Sequence, residues 1–171
     1  MLAPYLEVLY GAGPLVIASN REPWLAAPPE AGDNAVLMHP EAGLERALVP
    51  LATAVGATWI AAARCRGNLQ GAAEEAPVTS AANGRPCRVR RLGLSAAQQR
   101  GFASQLADRG LWPLCHPGVG PAEFEPCHWT SFAEVNRLFA DMILEETGGN
   151  GGLVLLEGHH LALVPQLLRR T

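Results

Sequence analysis

The chain has 171 residues, 49% of them hydrophobic and 17% charged, which predicts one soluble globular domain with a real apolar core. A formal net charge of -3 and an aromatic content of 6% leave no case for a basic nucleic-acid footprint or a base-stacking platform. No run approaches the roughly 20 apolar residues of a membrane helix, and the first residues lack a signal peptide's basic start and apolar stretch. Cys65, Cys87, Cys115 and Cys127 suit reduced thiols, so the expected compartment is the cytoplasm.

Met1 to Gly13 has no clear periodicity and reads as a loose leader before a single α/β domain over residues 14–171. Leu15, Val16, Ile17 and Ala18 form an uninterrupted apolar run, the pattern of a parallel strand covered on both faces. Ser19, Asn20 and Arg21 follow at its carboxyl end, where open α/β sheets bind ligands. An arginine there suits a phosphate, because its fork of donors can bond two oxygens; the alternative is a solvated loop arginine. Glu22 to Glu41 is a Pro-rich loop in which Trp24, His39 and Glu41 are the residues able to touch a ligand.

Leu44, Ala47, Leu48 and Leu51 recur at helical spacing from Gly43 to Val55, despite Pro50. Thr58 to Ala63 reads as the second strand, and Arg64 to Ala76 as loop. Asn83-Gly84 is a hairpin signal, with Val78 to Ala82 and Pro86 to Leu92 as its arms. Ser95-Ala-Ala-Gln98 matches a capping box, opening a helix that carries Phe102 and Leu106 and leads into Leu111-Trp112-Pro113-Leu114-Cys115-His116.

Pro117 to Pro126 reads as loop, and Ser131-Phe-Ala-Glu134 as a second capping box. The stripe Phe132, Val135, Leu138, Phe139, Met142 and Ile143 is a core helix stopped by Gly148 and Gly149, and Asn136 is its one member whose polarity asks for a partner. Leu153 to Leu156 is another wholly apolar strand, followed by Glu157-Gly158-His159-His160-Leu161 and a helix with Leu163, Leu167 and Leu168. The repeated pairs Cys115-His116 and Cys127-His128 match no ordinary zinc spacing. His159 and His160 beside Glu157 make two ligands without a third, and read as helix-start histidines. No metal or cofactor is therefore predicted.

In order along the chain, L-V-I-A-S-N-R (Leu15–Arg21), T-W-I (Thr58–Ile60), L-W-P-x-x-H (Leu111–His116), W-x-x-F-x-x-V-N-x-x-F-A-D (Trp129–Asp141) and H-L (His160-Leu161) resemble the trehalose-6-phosphate synthases, the retaining glycosyltransferases of family 20. The resemblance implies a GT-B enzyme, of which residues 14–171 correspond to the first part of the amino-terminal lobe: a partial Rossmann-like, mainly parallel sheet flanked by helices, with the hairpin as an excursion. The carboxyl-terminal donor lobe has no counterpart in the sequence, so the chain is expected to be truncated and inactive alone, with no catalytic residue of its own.

The family's reaction transfers glucose from UDP-glucose to glucose 6-phosphate. By resemblance, Arg21 would grip the acceptor phosphate, Trp112 would bound the acceptor sugar, and Gly43, the surviving half of a Gly-Gly pair, would let the donor diphosphate approach. His159 and His160 would lie at the edge of the active site. Ala62 and Ala103 stand where the family has aromatic residues, and Gly158 where it has an aspartate. These losses point to a weakly held or different acceptor. The alternatives are a pseudo-glycosyltransferase branch with a cyclitol phosphate acceptor, and a non-catalytic remnant or interaction module. The expected partners are a sugar phosphate and a nucleotide-sugar, with neither nucleic acid nor membrane, and with self-association through an unfinished sheet edge.

Overall fold

The computed structural model describes residues 13–23, 44–63, 87–116, 118–148 and 151–169, and the backbone of short strands at 25–26, 37–38 and 74–78; for residues 44–46 it describes the backbone alone. Residues 1–12, Trp24, His39, Glu41, Gly43, Cys65 and the Asn83-Gly84 turn lie outside the described residues.

Five strands form one sheet in the order β5-β6-β4-β1-β7, where β1 is Leu15–Ser19, β4 Thr58–Ala62, β5 Glu74–Val78, β6 Cys87–Leu92 and β7 Leu153–Glu157. Two further strands, β2 (Leu25–Ala26) and β3 (Leu37–Met38), make a separate antiparallel pair. β1 runs parallel to β4 and β7, and β4 parallel to β6, while β5 closes one side antiparallel to β6. This is the expected mainly parallel α/β sheet with a hairpin excursion.

Alternation along the strands divides the core. Leu15 and Ile17 of β1, with Trp59 and Ala61 of β4, face helix α1 (Leu44–Val55) through Val49 and Ala52. Val16, Ala18, Ile60 and Ala62 face the other layer, where they meet Phe102, Leu106, Phe132, Val135 and Phe139. That layer holds three helices. Helix α2 runs as Ala96–Gln99, is wound in π turns over Arg100–Leu111 and finishes as Trp112–Cys115; α3 is Pro126–Thr147 and α4 Val164–Leu168. Covering both faces explains why β1 and β4 read as unbroken apolar runs rather than alternating ones.

The capping box at the start of α2 is present: the Gln98 N–H donates to Ser95 Oγ, and the Ser95 N–H donates to the Gln98 side chain. Gly148 ends α3 at φ 59, a left-handed conformation that glycine adopts without penalty. The start of α3 differs from expectation. Ser131–Glu134 lies inside the helix, because Pro126 occupies its first turn, where a missing N–H and a fixed φ favour a start.

Two strands also differ. A two-residue turn at Asn83-Gly84 would set Val78 opposite Val89, whereas Val78 pairs with Cys87 and the first arm is Glu74–Val78. The pairing is displaced from that register by two residues. Pro77 is tolerated because β5 is an edge strand. β7, as apolar as β1, is only half-buried along its length because it forms the opposite edge among the described residues.

Candidate functional site

In an open parallel sheet, the crevice for a ligand lies at the carboxyl ends of the strands, where the strand order reverses. The chain leaves β1 towards β4 and β6 and returns on the other side as β7, so the reversal falls between β1 and β7. Register there sets Ser19 opposite Glu157. The segments Ser19-Asn20-Arg21 and Glu157-Gly158-His159-His160 therefore emerge side by side, although they are far apart in sequence.

Arg21 is exposed, but its backbone is tied down. Ser19 Oγ donates to the Arg21 carbonyl at 2.5 Å and accepts from the Trp59 indole N–H at 2.9 Å. Ser19 and Trp59 are both wholly buried, so β1 and β4 share a polar contact beneath the arginine. One residue on, the Glu22 carboxylate accepts from Arg91 Nε at 2.9 Å, fixing the same loop to the end of β6. The tryptophan and the S-N-R of the sequence pattern are thus parts of one hydrogen-bonded support.

On the β7 side, Gly158 has φ 90, and the following 3-10 turn, His159–Leu161, is held from below by Asn136 of α3. The wholly buried Asn136 donates to the His160 carbonyl at 3.0 Å and accepts from the Leu163 N–H at 3.1 Å. This is the partner its polarity demanded. His160 is held neutral, its pKa lowered from 6.5 to about 4 first by burial and then by the neighbouring His159; Asp108 opposes the shift and Arg21 adds to it. The β1/β7 register brings the segments carrying Arg21 and His160 out at the same end of adjacent strands.

Helix α2 brings the remaining groups. Trp112, 40% exposed, stacks on His116 with ring centroids 3.5 Å apart and lies 5.3 Å from His159. His159 and His160 are 4.3 Å apart, and His160 packs 5.8 Å from the buried Phe102, so a row of rings runs from surface to core. Asp108, one turn before Trp112, points Oδ1 at both imidazoles, 3.6 Å from His159 Nε2 and 3.3 Å from His160 Nε2. Sequence reasoning missed Asp108. Its only signal was helical spacing from Trp112.

The structure thus gathers Arg21, Trp112, His159 and His160 near the β1/β7 switch, while Gly43 lies outside the described residues. Ala62 and Ala103 are core residues beside Phe102, leaving little of either at the surface. An apolar cleft of about 350 Å³, lined by Leu106, Phe124, Glu125, Pro126 and Trp129, includes none of the predicted site residues. Among the described residues no helix is long and apolar enough to cross a membrane.

The sequence profile of glycosyltransferase family 20 matches residues 14–171. The chain belongs to glycosyltransferase family 20. Among family relatives, the UDP-forming alpha,alpha-trehalose-phosphate synthase of Botryotinia fuckeliana is 36% identical over 76 residues, covering 44% of this chain and 14% of its own length. The glucosylglycerol-phosphate synthase of a Synechocystis strain is 26% identical over 161 residues, covering 91% of this chain and 31% of its own length.

Solved family 20 structures agree on the fold. The Escherichia coli trehalose-6-phosphate enzyme, bound with UDP-2-fluoro glucose, superposes with a TM-score of 0.65 at 22% identity, over 91% of this chain and 30% of the other. A UDP-forming synthase from Burkholderia xenovorans, in complex with glucose-6-phosphate, gives 0.59 at 20% identity, over 92% and 31%. The chain therefore spans less than a third of the length of these family 20 proteins.

Proposed function

We propose that this chain carries the acceptor-phosphate part of a family 20 glycosyltransferase site, in which a hexose 6-phosphate receives glucose from UDP-glucose with retention at the anomeric carbon. The observation that carries this reading is the position of Arg21, at the switch between β1 and β7, on a backbone held by Ser19 and Glu22. A guanidinium presented on a fixed loop can bond two phosphate oxygens with little ordering cost at the moment of binding. Trp112 offers a partly exposed ring against which a sugar can pack, and His159 and His160 border the same crevice. The UDP-forming activity named for the relatives, and the glucose-6-phosphate bound by the Burkholderia xenovorans protein, support this choice of substrates.

Retaining transfer requires stabilisation of the diphosphate as it leaves. We assign Gly43, the residue before α1 in the sequence, to the approach of that diphosphate, because a helix start offers N–H groups to an anion. Arg21, Trp112 and the histidines hold and orient the acceptor. The outer backbone edge of β7 offers pairing to a further strand or to a second copy of the chain.

Glucose 6-phosphate should raise the Tm of the purified chain, and Arg21→Ala, an exposed change, should abolish the shift without lowering the unliganded Tm. Equal shifts in both proteins would refute the assignment of Arg21. A second reading has a cyclitol phosphate as acceptor, favoured by the small residues Ala62, Ala103 and Gly158 at positions where the resembled family carries larger contact residues. A larger shift with a cyclitol phosphate than with glucose 6-phosphate would select it. A shift with inorganic phosphate equal to both would leave a phosphate-binding module.

A further inference from the structure

We propose that Asp108, His159 and His160 form a three-ligand site for a zinc-class divalent ion, with a fourth position open to water or an anionic oxygen. The two imidazole Nε2 atoms converge on one carboxylate oxygen, at 3.6 and 3.3 Å. Around a tetrahedral ion with bonds of about 2.0–2.1 Å, neighbouring ligand atoms sit about 3.3–3.4 Å apart. The two edges that meet at Asp108 Oδ1 are already close to that length, and one potential ligand atom from each residue lies within 4.8 Å of the others.

The donor set points the same way. Two imidazoles and a carboxylate suit zinc, cobalt or nickel rather than magnesium or calcium, which prefer all-oxygen shells. His159 Nε2 is buried and has no hydrogen-bond partner among the described residues, and 3.6 Å from Asp108 is too far to serve as one. A buried unsatisfied nitrogen asks for an explanation, and an ion shared with His160 and Asp108 supplies it.

The turn is braced by hydrogen bonds and Asp108 faces solvent. Asn136 pins the backbone of the turn that carries both histidines, and Trp112 packs near His159. The Asp108 side chain is 57% exposed, so an ion can reach it from solvent. Arg21 places a like charge in the neighbourhood, which the Asp108 carboxylate offsets. A second group of potential ligands, Glu125, Cys127 and His128, comes from adjacent positions at the start of α3; Cys115 and His116 belong to neither group. Of these two groups among the described residues, the first joins two distant parts of the chain.

The test is a titration of the chelator-treated full chain with Co2+ in phosphate-free buffer, followed by Zn2+ displacement. One equivalent should bind, giving the visible bands of four-coordinate cobalt without a thiolate charge-transfer band. Loss of a mere supporting residue weakens a metal site about 10- to 100-fold, so Asp108→Ala and His159→Ala, each losing a ligand, should weaken binding by at least about 100-fold. The paired change Cys127→Ser with His128→Ala should leave binding intact. A thiolate band, no saturable binding, or an Asp108→Ala protein that binds like wild type would overturn the proposal. Asp108 is exposed, so its variant keeps the test meaningful even if His159→Ala misfolds. No sugar phosphate enters the titration, so its failure leaves the acceptor reading untouched.

Discussion

Among the described residues, the Asn136 side chain hydrogen-bonds α3 to the turn bearing His159 and His160, and replacing it with the similarly sized leucine isolates that tie from cavity effects. Asn136 Nδ2 donates to the Phe132 carbonyl at 2.9 Å and to the His160 carbonyl at 3.0 Å, while Oδ1 accepts from the Leu163 N–H at 3.1 Å. The Phe132 carbonyl keeps its helical bond from the residue 136 N–H, so losing the first contact strands nothing. The other two groups lose a partner in part-buried surroundings, at about 1–3 kcal/mol each. Asn136→Leu should therefore destabilise the chain by about 3 kcal/mol, which at about 2–4 °C per kcal/mol for a chain of this size lowers Tm by about 6–12 °C. Urea unfolding followed by circular dichroism measures the first figure and a thermal melt the second. A loss below about 1 kcal/mol would refute the reasoning, because it would mean that water satisfies both backbone groups as well as the amide does.

Gly158→Ala should cost about 1–2 kcal/mol, since φ 90 is strained for any residue with a Cβ and the added carbon would lie 3.3 Å from His160 Nδ1; a variant as stable as wild type in urea would count against that backbone. Burial raises the Cys87 thiol from 9.0 to about 12. In the native protein at pH 8, a thiol reagent should therefore modify the exposed Cys115 and Cys127 quickly and Cys87 only on unfolding, as mapped by peptide mass spectrometry. The same shift has a definite sign for stability. The folded pKa exceeds the unfolded one, so this contribution is present below pH 9.0 and lost as pH rises towards about 12, and Cys87→Ala should flatten the alkaline fall in Tm.

By itself, the sequence determined what depends on neighbours along the chain. Unbroken apolar runs marked β1 and β4 because strands covered on both faces have no polar side to show. The capping box at Ser95 and the stop at Gly148 appeared where read because each is closed by hydrogen bonds or a backbone conformation within a few residues. Motif order was enough for the family, while the strand end alone left Arg21 open between a phosphate ligand and a solvated loop residue. Asn136 stood out because a polar residue in an apolar stripe has to be satisfied.

Tertiary structure decided the rest. That β7 is an edge among the described residues, and only half-buried, follows from sheet order, to which its composition is blind. The register of β5 against β6 is set by backbone pairing between the strands, so the sequence pattern of either arm alone could not reveal the two-residue displacement. Asp108 reads as an ordinary solvated helix residue until α2 packs beside the turn after β7, and His159 and His160 read as a pair without a third ligand until that contact supplies one. Periodicity and capping are short-range properties carried by the backbone of one element, whereas a site assembled from α2, β1 and β7 exists only once the sheet has chosen its neighbours.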